Sequence, residues 1–187
     1  MRSYVFDKKE KSVFELLKNC ISTDSTRPFL THAYYDGKGF MYATTGYRLV
    51  KIKSKRLSEK LGDKPGYFDV IGGALLESDF SRDPIDYERV ITPNEGERFI
   101  LPKTTAVKGK HMDSLIYAAV CHYTGKVFNP ESFQGIKEVD WMNISHIGNQ
   151  TVVKLTGSYI ARYNVTFVAM AMNVSFMDKS ETLEKAV

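Results

Sequence analysis

The sequence predicts an α+β fold with two amphipathic helices packed on antiparallel sheets. Three observations predict it. A short strand is followed by an apolar stripe at helical spacing; alternating segments broken by Gly-containing turns come next; and the strand, helix, strands order returns near the C-terminus. The repeat is one of pattern, not of residue identity. With 187 residues, 43% of them hydrophobic and 26% charged, the chain suits a single domain with a buried core. The expected division is one domain over 1–177, with half one at about 1–53, an insertion at about 54–113 and half two at about 114–177. Residues 178–187 read as a polar tail.

Residues 3–6, Ser-Tyr-Val-Phe, read as a strand. Asp7 has the chemistry of an N-cap, with Glu10 in the capping-box position. From there to about Ile21, Val13, Phe14, Leu16, Leu17 and Cys20 form one helical stripe, and Lys8, Lys11, Ser12, Glu15, Lys18 and Asn19 form the opposite, mainly basic face. Pro28 pushes Arg27 toward an extended backbone. Strands are expected at 29–35, 40–44 and 47–53, the first two joined by Asp36-Gly37-Lys38-Gly39. Residues 70–76 are apolar enough for a strand or a short helix; the Gly72-Gly73 pair lacks the lysine of a P-loop. Beyond them, 114–122 reads as a strand, and Asn129-Pro130 as the start of a helix carrying Phe133, Ile136 and Val139 inward. Further strands are expected at 141–147, 151–156, 158–163 and 165–174, with turns at Gly148-Asn149, Gly157-Ser158 and Asn164.

Charge is segregated although the net value is only +4. Residues 48–64 hold seven Lys/Arg against two acids, 98–126 hold five against one, and 77–97 hold seven acids against two arginines. Such a distribution suits a face for a polyanion and a separate acidic surface. Like charge against phosphate is unfavourable, so the acidic run is expected on the side away from Lys8, Lys11, Lys18 and Arg27.

Catalytic and metal-binding constellations are sparse. The two cysteines, Cys20 and Cys121, have no CxxC or His-x-His company and are expected as free thiols. His32, His111, His122 and His146 fall on separate predicted elements without a nucleophile motif. Glu77, Asp79, Asp83, Asp86 and Glu88 offer oxygens for a divalent cation, but not at calcium-loop spacing. No catalytic residue, cofactor or metal is therefore assigned, and a metal-dependent enzyme is the third reading. The start runs into lysines rather than an apolar segment, and no apolar run approaches the roughly 18 residues of a membrane helix. The expected location is the cytoplasm, with no membrane partner.

A nucleic-acid reading has more behind it. The basic helix stripe, Arg27 and Arg48 offer phosphate contacts without any helix-turn-helix or zinc finger to read bases. Tyr34, Tyr35, Phe40, Tyr42 and Tyr47 alternate in strands, which makes core packing the better expectation for at least half of them.

The stretches Arg27-Pro28-Phe29-Leu30 and Ala43-Thr44-Thr45-Gly46-Tyr47-Arg48-Leu49 resemble those of the bacterial DNA polymerase sliding clamp (beta subunit) family, whose domains carry an Arg-Pro-x-Leu-like loop and an Ala-Thr-Asp-Gly-x-Arg-Leu motif. Thr45 replaces the family's Asp. Residues 127–139, 83–93 and the closing run SYIARYNVTFVAMAMNV are similar to the second-helix entry, the linking segment and the final strands of a clamp domain. The resemblance covers about 50 residues well at the N-terminus and about 50 loosely at the C-terminus, and leaves the middle third unaccounted for. It implies a DNA clamp-like domain that holds duplex DNA through phosphates, independent of sequence, as a replication or processivity accessory factor. The implied contacts are Lys8, Lys11, Lys18, Arg27 and Arg48. Implied partners are double-stranded DNA, a DNA polymerase or clamp loader, and further copies of the chain closing a ring. The alternative is a clamp-derived scaffold that binds a protein partner through the acidic segment.

Overall fold

A computed structural model describes residues 1–91, 97–100, 112–134, 136, 141–147, 150–159 and 163–171. The strands are β1 (Ser3–Val5), β2 (Ala33–Tyr35), β3 (Phe40–Thr44), β4 (Arg48–Lys53), β5 (Gly66–Ile71), β6 (Ala74–Glu77), β7 (Glu97–Ile100), β8 (Trp141–Ile147), β9 (Gln150–Tyr159) and β10 (Tyr163–Met170). The helices are α1 (Lys11–Asn19), α2 (Lys55–Leu61), α3 (Tyr87–Ile91) and α4 (Met112–Thr124), with 3-10 turns at Pro28–Leu30 and Pro130–Phe133. The strands form one antiparallel sheet in the order β1-β6-β5-β2-β3-β4-β10-β9-β8-β7.

The order strand, helix, 3-10 turn, three strands occurs twice, as β1-α1-β2-β3-β4 and as β7-α4-β8-β9-β10. Each set of three strands is a meander, and the two meet where β4 pairs antiparallel with β10, Leu49 opposite Val168. The hairpin β5–β6 breaks the match, because it lies between β1 and β2 in the sheet. Residues 55–77, grouped above with a central insertion, thus give the sheet two of its strands and a covering helix. In that hairpin Gly72 and Gly73 take φ of 61° and 82°, which suits a two-residue turn that side-chain-bearing residues enter at a cost.

Strand alternation gives the sheet two different faces. Tyr35, Met41, Val50, Phe167, Leu155 and Met142 point to one face, where they share a core with Val13, Leu16 and Leu17 of α1, Leu57 and Leu61 of α2, and Ile116 and Val120 of α4. Tyr42, Leu49, Val152 and Val168 point to the other, which Tyr87 and Ile91 of α3 cover. Of the acidic stretch, residues 85–91 therefore lie on the face opposite the long helices, whereas Glu77 shares the helix-bearing face with Leu75 and Phe68 and pairs with Arg2; 92–96 lie outside the described residues.

Several elements differ from the sequence reading. Residues 114–122 belong to α4, not a strand: the buried Ile116 and Val120 stand one helical turn apart, and Gly125 at φ 62° terminates the helix by donating to the Cys121 carbonyl. The helix expected over 129–139 is a single 3-10 turn. Asn129 caps it as expected and Pro130 leads it, but Gln134 is already extended at ψ 130°. Residues 137–140 are not among those described. The segment expected as a strand at 29–35 begins with the 3-10 turn led by Pro28, and only 33–35 join the sheet. Gly157-Ser158 makes no turn, because the ladder with β10 runs through it, and Asn164 sits within β10. The expected turn at Gly148-Asn149, the strand end at 172–174 and the tail from 178 lie outside the described residues.

Candidate nucleic-acid interface

α1 starts later than its capping signature suggests. Asp7 Oδ1 accepts from the N–H groups of Lys9 and Glu10, and Glu10 Oε2 accepts from the Asp7 N–H at 2.9 Å, so the reciprocal box is made. It closes a turn over residues 7–10, and the helix proper begins at Lys11. This turn leaves Lys8 exposed beside Lys11, while Lys18 is exposed in the last turn of the helix. None of these three lysines forms an ion pair with a described residue.

Glu10 does more than cap. Its side chain is 2% exposed, and its Oε1 accepts from the hydroxyls of Tyr4 and Tyr163, each at 3.0 Å, and from the Arg56 guanidinium. The two phenols are themselves 2.7 Å apart, and burial raises the pKa of both. Arg56 also reaches Asp7 at 3.1 Å, holding its carboxyl below the usual range. The start of α1 is thereby tied to β1, α2 and β10 at once, which fixes the position of the basic face. A buried carboxylate is tolerated here because every contact is a donor.

Arg27 and Arg48 lie near the other end of α1. Asp24 holds Arg27 through Nε at 2.9 Å and accepts from the Thr26 N–H and hydroxyl with its second oxygen. The Arg27 side chain remains 49% exposed. Gly46, at φ 94°, lets the β3–β4 turn pass close to it: an added Cβ there would sit 3.9 Å from Arg27 Nη1. Thr44 organises that turn, its Oγ1 donating to the Arg48 carbonyl and accepting from the Gly46 N–H. Arg48 is half-buried and donates to the Glu131 carbonyl in the second 3-10 turn, bridging the two halves. It is the least available of the five expected phosphate contacts.

The aromatic residues mostly pack. Tyr35 is in the core with its hydroxyl on the Gly62 carbonyl, and Tyr34 and Tyr42 stack on Tyr87. Phe40 lies under Lys51 and Lys53, and Tyr47 alone of the five is widely exposed, at 67%. Lys51 also pairs with Glu88, so the basic run at 48–64 is divided between the two faces of the sheet.

Both cysteines are free, and burial pushes the Cys20 thiol up to about 12, leaving it protonated. His32 contacts Asp69 at 3.3 Å and stacks on Phe80, His122 is exposed on α4, His146 lies in β8, and His111 is outside the described residues. Among the described residues, no three His, Cys, Asp or Glu side chains converge where a metal ion could be held. No described helix is long and apolar enough to cross a membrane.

α2 was not anticipated. Its lysines Lys55 and Lys60 are exposed, as is Lys64 just after it. The available signal was Ser54, a good N-cap whose Oγ accepts from Arg56, ahead of Leu57 and Leu61 at helical spacing.

Compared with known proteins, the chain matches no family model and no curated protein.

Proposed function

We propose that the protein is a sliding-clamp-like, DNA-associated accessory factor that holds duplex DNA through phosphates, without reading sequence and without catalysing a reaction. The observation that carries this reading is the exposed basic face of α1, on the opposite side of the sheet from α3 and its acidic neighbours Asp86 and Glu88. A cationic face without base-reading elements suits sequence-independent contact. The twofold strand, helix, strands order supports a clamp-like domain. DNA polymerase or a clamp loader would be its protein partners, and encirclement would need several copies of the chain to close a ring.

The test is equilibrium binding to two unrelated duplexes over a salt series. Lys8, Lys11, Lys18 and Arg27 together give an expected log–log slope of about 3.6 in magnitude, from about 0.9 per phosphate, with equal affinity for both sequences. The double change Lys11→Ala, Arg27→Ala should lower that slope by about 1.8 on both. Absence of binding at low salt would overturn the reading. Solution mass with and without duplex then separates a ring from a monomer.

One observation favours a second reading, a scaffold for a basic protein partner. Tyr87 is docked against Tyr34 and Tyr42, and this leaves Asp83, Asp86 and Glu88 exposed on an anchored surface. Retention of a partner that is lost on changing Asp83 and Asp86 to Asn, in a protein indifferent to DNA, would favour it.

A further inference from the structure

The surface around α1 is wider than the stripe on that helix. α2 packs on the same face of the sheet, with Leu57 and Leu61 buried in the core that α1 shares, and it lies against β1. Arg56 fixes its position relative to α1 by reaching both Asp7 and Glu10. Leu57 and Leu61 turn inward and Arg56 reaches toward α1, while Lys55 and Lys60, about 140° apart around the helix, are exposed on either side of Arg56 and Glu59, and Lys64 follows in the next loop, also exposed. Lys55 is 90% exposed and touches Glu59 only at 3.6 Å, a solvated pair of small energetic weight. α4, the long helix of the second half, contrasts with this. Its exposed positions are Ser114, Leu115, Ala118, His122 and Tyr123, with no lysine or arginine until Lys126.

We infer that α2 is a second phosphate-contacting helix and that the DNA interface is one-sided, running over α1 and α2 and not over α4. The inference rests on the DNA reading above, and it adds Lys55 and Lys60 as contacts. Arg56 acts as a positioning residue: it carries its charge into the Glu10 network and sets the two basic helices side by side. A polyanion of regular charge spacing fits this surface, because the exposed lysines are distributed over two helices and not gathered around one pocket.

The test compares Lys55→Ala, Lys60→Ala with Lys53→Ala, which removes a lysine from the opposite face. Duplex binding is measured over a salt series, and thermal unfolding checks that each variant is folded. The α2 double change is expected to reduce the magnitude of the salt slope by about 1.8, and Lys53→Ala to leave it unchanged. Binding by the unaltered protein with no change of slope in the α2 variant overturns the inference and leaves the DNA reading standing. No binding by the unaltered protein overturns that reading itself, and this inference with it. An equal loss on Lys53→Ala overturns the one-sided interface.

Discussion

The two halves repeat an order of elements, and among the described residues the first adds a charged network to its packing. Rings meet there too, as in Tyr4–Phe6 and Tyr35–Phe68, but charge ties the elements together. Glu10, Arg56, Tyr4 and Tyr163 form a buried network at the start of α1, and Arg2 clamps Glu77 at the β1–β6 edge with its Nη2 at 2.7 Å. The second half is fastened by rings: Phe133 packs against Tyr117, Phe128 and Phe167 beneath α4. The outer surfaces differ in the same way, lysine on α1 and α2 against leucine, alanine and tyrosine on α4. A shared topology therefore fixes where a helix lies without fixing what its outward face offers to a partner.

The largest effect should come from removing the centre of the charged network. Glu10→Ala leaves the buried Tyr4 and Tyr163 hydroxyls without their carboxylate acceptor, while the half-exposed Arg56 keeps Asp7, and should destabilise by about 1–3 kcal/mol. Chemical denaturation measures this, and a loss below about 1 kcal/mol would mean that the network merely decorates an apolar core.

Acid should act on the same half. Arg2 lowers the Glu77 carboxyl from 4.5 to about 2. A depressed folded-state pKa contributes stability that is complete above the unfolded value and is lost as pH falls through the folded one. Stability should thus decline between about pH 4.5 and 2, and Glu77→Gln should flatten that part of the curve. An identical acid profile in the variant would shift the dependence to Asp7 and Asp24, whose carboxyls are also held low.

The smallest effect on stability, and the sharpest on the comparison, is expected on α4. Leu115→Lys with Ala118→Lys changes exposed positions and should alter stability by less than about 0.5 kcal/mol. If DNA touches only α1 and α2, the salt slope stays as it was. A steeper slope would put α4 against the phosphates and make the interface two-sided.

Legibility in the sequence followed the range of the interactions. The strand Phe40–Thr44 was readable because its alternation and flanking turn are local. The apolar run at 70–76 was visible, yet whether Gly72-Gly73 joined two strands depended on β1 and β2 as neighbours. α4 differs from the strand expected there because Leu115 to Cys121 is both apolar and short enough for a buried strand, and only the four-residue step of the buried Ile116 and Val120 decides for a helix. Asp7 and Glu10 announced a capping box, which the structure contains. That Glu10 is buried could not be read there, since one of its donors, Tyr163, is 153 residues away. The lysines of α1 were legible as a face; those of α2 were merged into a basic run that the sheet then divides.

The junction of β4 with β10 also bears on how the chain is made. Its partners are remote, Leu49 meeting Val168 across 168 − 49 = 119 positions, whereas β3–β4 and β9–β10 are local pairings. During synthesis the first meander can close long before its partner strand exists, with the outer edge of β4 open and ready to accept any other strand. Closure of the junction waits until β10 has been made, so assembly should be slow and cooperative. A chain cut short before β10 would carry that sticky edge permanently, and self-aggregation is its expected fate.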